Sequence, residues 1–374
     1  MAHTSPRPDI SLFLPAFSVG GVERMRLNIA RGFTKAGFRV ELVALNAQGP
    51  LLEEVPEGVS VADLQSPRML TALPRVVRYF RERRPTVFLS ALDYANLVSL
   101  WAHRLARVDT RIYVGTHKVL SVATRESELW REKHLMPGLL RRAYPRADGI
   151  VGVSDGIADD LVEFLNLNPG SVTVINNPAL TDEVMARADH PADHPWLDDP
   201  AVARRTVISV GRLDRQKDFP TLIRAFAQLH AGDPDLRLVI VGEGRERVQL
   251  EQLVREMDLG DSVDLPGFRT NPWAFMRRAG LFVSSSAWEG FGNVHVEALG
   301  CGCPVVSTDS PSGPADILDN GRFGPLVPIG DVDALALVMR RTLDDPLPFE
   351  TLKARAMDFH VDKVITQYRT LMRL

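Results

Sequence analysis

The chain is 374 residues long, 45% hydrophobic and 24% charged, which leaves room for two domains with proper cores and excludes a disordered chain. Its net charge of −3 is uneven: residues 1–177 carry 22 Lys and Arg against 18 Asp and Glu, the remainder 22 against 29, so the basic half is the N-terminal one. No segment reaches the roughly 18 apolar residues of a membrane span and MAHTSPRPDI lacks an apolar leader core, so the expected location is cytoplasmic or peripheral on the inner membrane face.

Ile10 to Leu14 reads as a buried strand entering the loop Pro15 to Gly21. A helix follows with Val22, Met25, Ile29, Phe33 and Ala36 at steps of three and four, ended by Gly37, and then a strand from Arg39 to Leu45. Gly20 and Gly21 suit either a backbone approach to a diphosphate or a plain tight turn, and the full G-x-G-x-x-G pattern of a dinucleotide-dependent dehydrogenase is missing. Further strands are expected at Val59 to Ala62, Thr86 to Ser90, Arg111 to Gly115, Gly149 to Val153 and Val172 to Ile175, with helices between them, giving a first doubly wound domain. Two basic stretches interrupt it. One places Arg75, Arg78, Arg81, Arg83 and Arg84 beside Val76, Val77 and Phe80; the other, Trp130 to Arg146, mixes Arg131, Lys133, Arg141, Arg142 and Arg146 with Leu135, Met136, Leu139 and Leu140. They suit anionic lipid headgroups or simply the solvated faces of packed helices. Asp93, Asn96 and Arg125 are candidates for an acceptor side, with an ordinary loop role as the alternative.

Pro178 to Arg205 is irregular and polar and reads as a linker; prolines around His190 and His194 exclude the helix that would align them as metal ligands. Thr206 to Val210 then opens a second domain and leads into Gly211, Arg212 and Lys217. Two cations on a strand-to-helix loop are placed to neutralise a leaving diphosphate. Asp218 is expected to cap a helix with Leu222, Ile223, Phe226 and Leu229 facing inward. Asp233 to Asp235 falls in a helix-to-strand turn, a poor place for a donor-bound cation, and no metal or other cofactor is expected. Leu236 to Val241 runs into Gly242 and Gly244, and Val263 to Leu265 into Phe268.

Ala279 to Leu318 carries the densest chemistry. Leu281 to Ser285 is a short strand, and Glu289 and Glu297 bracket Gly290, Phe291, Gly292 and Asn293, a glycine-broken turn that opens a helix through Val294, Glu297 and Leu299 with Asn293 as its cap. A helix start suits a diphosphate, and two flanking carboxylates suit hydroxyls around it. A plain helix N-terminus with Glu297 as a dipole partner accounts for the spacing equally well. Cys301 and Cys303 are too close for an unstrained disulfide and read as small buried residues.

The Glu289 to Glu297 segment resembles the Glu-x-seven-Glu donor site of retaining, nucleotide-sugar-dependent glycosyltransferase family 4, of GT-B fold. The resemblance extends, in the family's order, to Ser18–Gly21, Val153–Leu161, Gly211–Phe219 and Val241–Gly244. It implies an α/β GT-B chain with two doubly wound Rossmann-like domains facing an interdomain cleft: an acceptor-side domain at 1–177, a linker at 178–205, a donor-binding domain at 206–355 and a helix at 356–374 returning to the first. It further implies a UDP-hexose or UDP-N-acetylhexosamine donor, with GDP-mannose open, and a glycan or lipid-linked acceptor in surface polysaccharide synthesis. The roles carried over are Arg212 and Lys217 on the diphosphate, Glu297 on the ribose and Glu289 with the Gly290 to Asn293 backbone on the sugar. Gly20, Gly21 and Val294 lie by the diphosphate, Gly242 and Phe268 by the nucleoside, and His117 faces the sugar. A nucleic-acid partner is not expected; an epimerase of the same fold and a non-catalytic nucleotide-sugar scaffold are the alternatives.

Overall fold

The computed structural model describes residues 7–18 and 20–374, with only the backbone of Leu70. The leader expectation rests partly on residues 1–6, and the Ser18–Gly21 loop on Val19; these lie outside the described residues. The chain divides into two units, one ending at Pro178 and taking back Val361–Leu374, the other Ala179–His360.

The first unit holds seven parallel strands: β1 (Ile10–Leu14), β2 (Val40–Ala44), β3 (Ser60–Asp63), β4 (Val87–Ala91), β5 (Arg111–Thr116), β6 (Gly149–Gly152) and β7 (Val172–Val174), in the order 3-2-1-4-5-6-7. The expected strands are all present, shifted by one or two residues at their ends. β1, β2 and β4 are buried along their whole length, as strands covered on both faces must be, whereas the edge strand β3 is largely exposed. The helix Gly21–Lys35 packs on the last helix, Val361–Met372, through Val361, Ile365 and Tyr368. Their approach depends on Gly32, where a Cβ would stand 2.5 Å from Ile365 Cγ1. Each such buried aliphatic side chain stabilises the unit by about 1.5–3 kcal/mol.

The second unit holds β8 (Thr206–Val210), β9 (Arg237–Val241), β10 (Val263–Gly267), β11 (Leu281–Ser284), β12 (Val305–Thr308) and β13 (Leu326–Val327), all parallel, in the order 10-9-8-11-12-13. Helix Phe219–Gly232 buries Leu222, Ile223, Phe226 and Leu229 against this sheet, the face its spacing predicts. Asp218 occupies the cap position but in a left-handed conformation, and its carboxylate accepts from the Thr221 hydroxyl at 2.7 Å rather than from a helix amide.

Of the stretch 178–205, expected as a linker, all but Pro178 is folded into the second unit, with three short helices, Asp182–Ala188, Pro195–Asp198 and Pro200–Ala203. Polar capping rather than apolar periodicity holds them: Thr181, His194 and Asp199 each accept a hydrogen bond from the first turn that follows. The Arg187 guanidinium stacks 4.8 Å over the Trp273 ring, and His194 pairs with Asp264 at 2.9 Å.

In each unit the strand order reverses beside the first strand, between β1 and β4 and between β8 and β11. Loops leaving the carboxyl ends of such strand pairs diverge and leave a crevice, the place where open parallel sheets bind ligands.

Candidate functional site

In the second unit the loop after β8 turns back on itself, with Lys217 N donating to Asp214 O at 3.0 Å and buried Leu213 tied to Glu243 O at 2.9 Å. This turns Lys217 inward, where its Nζ meets Glu289 Oε1 at 2.5 Å. The two side chains are only 15% and 7% exposed. Ser286 Oγ donates to the same carboxylate oxygen at 2.8 Å, and Ser285 Oγ donates to Lys217 O at 2.8 Å, so the loops after β8 and β11 are laced together. Burial alone would raise the Glu289 carboxyl; the Lys217 charge, with smaller help from His295 and Ser286, brings it below its ordinary value.

Arg212 points the other way. Its guanidinium is largely exposed and contacts Asp214 at 3.2 Å and Gln216 Oε1 at 3.3 Å. Gln216 in turn donates to Trp288 O at 2.9 Å and accepts from Ala287 N at 2.8 Å, which keeps Arg212 on the same rim as the loop after β11.

The helix after that loop runs Asn293–Gly300, and its cap is Gly292 rather than Asn293. Gly292 has φ of +92°, and a Cβ there would fall 2.6 Å from His295 Nδ1, so only glycine fits. Asn293 becomes the first helical residue, with Val294 beside it, both half-buried. The Phe291 ring is buried 5.6 Å from Phe359, leaving its backbone to face the loop, and Ser312 Oγ holds Gly290 O at 2.9 Å. Glu297 is 8% exposed, and its Oε2 accepts from Trp273 Nε1 at 3.0 Å. Gly242 donates to Gly267 O at 3.1 Å just past β9, and Phe268, after β10, is an exposed aromatic.

His295, Ser286 and Trp273 escaped the sequence reading. His295 is fully buried, with Nδ1 2.9 Å from Gly292 O and Nε2 2.9 Å from Ser307 Oγ. Burial pushes its pKa down to about 4, against the pull of Glu289. A neutral ring donates from Nδ1 to the Gly292 carbonyl, while Nε2 and Thr308 O, also 2.9 Å away, compete for the single Ser307 hydroxyl hydrogen. The signal for His295 was a polar side chain two residues from Glu297, between Val294 and Val296.

In the first unit, Gly20 precedes helix Gly21–Lys35, and the Glu23 carboxylate folds over it: a Cβ on Gly20 would lie 2.2 Å from Glu23 Oε2. A negative group already stands at that helix start. His117 follows β5, with its Nδ1 buried and unpartnered and the Asn177 amide beside the ring. Asn96 is structural, donating at 2.9 Å to both Gly115 O and Tyr144 OH, and Arg125 is exposed and reaches only Glu126. Asp93 is buried and pairs with Lys118 at 2.9 Å, on the wall of a cavity of about 280 Å³ that Pro15, Leu45, Leu92 and Met136 make mostly apolar.

Other predicted positions have local roles. Asp233 is held by Arg205 and, at 3.1 Å, by Arg340, and Cys301 and Cys303 are free and buried. No group of metal-ligating side chains is found among the described residues, and none of their helices is long and apolar enough to cross a membrane.

Residues 19–183 match the model of Glycosyltransferase Family 4, and residues 199–357 that of Glycosyl transferases group 1. Over 349 residues the chain is 28% identical to the N-acetylgalactosamine-N,N'-diacetylbacillosaminyl-diphospho-undecaprenol 4-alpha-N-acetylgalactosaminyltransferase of Campylobacter jejuni, covering 90% of each chain. It is also 28% identical over 332 residues to the lipopolysaccharide core biosynthesis glycosyltransferase LpsE of Rhizobium meliloti, covering 87% of this chain and 86% of that one. The fold is shared with Anabaena HepE, solved in complex with UDP and glucose: TM-score 0.78 at 22% identity, over 98% of this chain and 100% of that one.

Proposed function

We propose that this chain, a glycosyltransferase of the GT-B fold, moves a hexosyl or N-acetylhexosaminyl group from a UDP-sugar to a hydroxyl of a glycan or lipid-linked acceptor in surface polysaccharide synthesis. The observation that carries the reading is the buried Lys217–Glu289 pair, which joins the loops that follow β8 and β11 either side of the strand-order reversal, just before the helix start at Gly292.

In this reading Lys217 and Arg212 stabilise the diphosphate as its charge grows, with amides of the first helical turn at Asn293 and Val294 as further donors. Lys217 divides its charge between Glu289 and the leaving group. Glu289, anchored by Ser286, accepts from sugar hydroxyls, and Glu297, oriented by Trp273, accepts from the ribose. The nucleoside lies by Gly242 and Phe268, and the resemblance assigns the backbone of Gly20 and Gly21 to the diphosphate. The resemblance assigns to His117 the steadying of positive charge as it develops on the sugar. Retention of anomeric configuration and independence of metal follow the resemblance around Glu289 and Glu297. The charge a metal would supply is present in Lys217 and Arg212.

The reading extends to peripheral contact with an anionic bilayer on the cytoplasmic side. Leu129, Trp130, Leu135 and Leu139 are exposed among Arg131, Lys133, Arg141 and Arg142, a pattern that suits a membrane interface.

A thermal-shift screen of UDP, GDP and ADP sugars tests the donor, since a ligand selective for the folded state raises the melting temperature. Incubation with the selected donor, with and without acceptor and with EDTA, then tests transfer. Donor turnover to an epimer without acceptor, loss of activity in EDTA, or an inverted product anomer by NMR would each overturn the corresponding part.

A further inference from the structure

Arg26 sits on the buried face of helix Gly21–Lys35 and is 1% exposed, the largest fully buried side chain of the described residues. Its Nε and Nη2 have no acceptor, and no carboxylate among the described residues pairs with it. A buried guanidinium without an acid is unfavourable, and a sequence retains one against that penalty most readily where the charge acts on something. Burial lowers its pKa to about 10, opposed by Tyr368 of the last helix, so it remains a cation at neutral pH.

What it acts on lies beside Gly115 of β5. A Cβ built on Gly115 would stand 3.7 Å from Arg26 Nη2 and 3.6 Å from His117 Nε2, so the guanidinium and the imidazole flank one bare point of backbone. The other groups around the ring leave Arg26 unopposed. Asn177 is uncharged, Lys118 is neutralised by Asp93 at 2.9 Å, Thr116 and Tyr144 contact each other as neutral hydroxyls, and Tyr368 faces Arg26.

We infer that Arg26 is a positioning residue for His117: its buried charge, held across Gly115 from the imidazole, excludes a proton from that ring, so His117 meets the sugar uncharged. Burial first and Arg26 second push the His117 pKa down to about 3, against the Asn177 amide. A protonated ring would set a second positive charge beside the one that develops on the transferred sugar as the diphosphate departs. The inference rests on the proposed role of His117.

The test is a histidine side-chain NMR titration of the full chain, with His117 assigned by His117→Gln, alongside the pH dependence of transfer. In the wild type the His117 signal is expected to stay constant from pH 5 to 8. Arg26→Met is expected to raise its titration by about one pH unit or more, so that with the titration carried down to about pH 4 its signal moves well before that of the wild type, and to give the transfer rate an acid limb. Arg26→Lys, which keeps the charge, is expected to match the wild type. If Arg26→Met fails to fold, Arg26→Gln takes its place. A His117 signal that is constant in the charge-removing variant, or that titrates near neutrality in the wild type, overturns the inference. A His117→Gln protein with full transfer activity overturns the role of the ring in the reaction, which the NMR titration distinguishes from a failure of Arg26 to control it.

Discussion

Lys217 Nζ and Glu289 Oε1 lie 2.5 Å apart, 72 residues apart in sequence, and both side chains are largely shielded from solvent. Reading along the chain assigns one to a diphosphate and the other to a sugar. Their contact makes them a single buried ion pair, in which each is desolvated only because the other is present.

Removing either partner therefore has two consequences. Lys217→Ala or Glu289→Ala is expected to lower transfer by about 10²–10³-fold, the scale of losing a preorganised electrostatic contact. It is also expected to cost about 3–5 kcal/mol by leaving an uncompensated buried charge. Lys217→Met combined with Glu289→Met should recover most of the stability and none of the activity. Urea unfolding and a transfer assay on the three proteins check this, and activity in the double variant would refute the assignment.

Trp273 donates its indole N–H to Glu297, so Trp273→Phe keeps the packing and removes one hydrogen bond to a carboxylate. The expected loss is about 1.5–3 kcal/mol, shared between stability and donor affinity. Calorimetry should show a weaker Kd for the donor with kcat changed less than Kd.

Gly292→Ala places a Cβ against His295 Nδ1 at φ of +92°. A cost of about 1–3 kcal/mol is expected, with donor binding weakened because the start of helix Asn293–Gly300 shifts. An unchanged urea midpoint and Kd would show that the turn does not depend on this glycine.

A buried histidine, His295, and a half-buried one, His117, make stability fall in acid. His295 and His117 have folded pKa values near 4 and 3, below the ordinary 6.5, so the unfolded chain binds protons that the folded one does not. The contribution is complete above about pH 6.5 and is lost as pH falls toward those folded values, about 2 kcal/mol per ring between pH 6.5 and 5. Urea midpoints across that range should fall with pH, and His295→Gln should flatten the slope if the variant folds.

The segment from Leu129 to Arg142 exposes 63% of Trp130, 52% of Leu129 and 47% of Leu135 beside four cations. Sedimentation with vesicles containing anionic lipid is expected to capture the protein, less so as salt rises. Trp130→Ala with Leu135→Ser should release it without lowering the melting temperature, and binding independent of lipid charge would count against the contact.

Most of the architecture was legible in the chain itself. Fully apolar strands, helix faces at steps of three and four and glycine-broken loops are local features, and both doubly wound units follow from them, with the ends of the strands named above placed within one or two residues; β12 and β13 were not among them. Local patterning failed where polar capping replaced apolar periodicity, as in the helices between Thr181 and Ala203. It also misplaced the cap of helix Asn293–Gly300: the choice between Asn293 and Gly292 depends on where the ring of His295 comes to rest.

By itself, then, the sequence determined which residues end the strands, and so which carry chemistry, because strand, loop and helix signals act over a few neighbours. Only the tertiary structure decided what those residues touch. Placing β11 rather than β10 beside β8 joins Lys217 to Glu289, and packing Gly21–Lys35 against β1, β2 and the last helix buries Arg26, whose Nη2 reaches Gly115 of β5 near His117. Charges change their meaning once desolvated, and desolvation is a property of the assembled core that no local stretch contains.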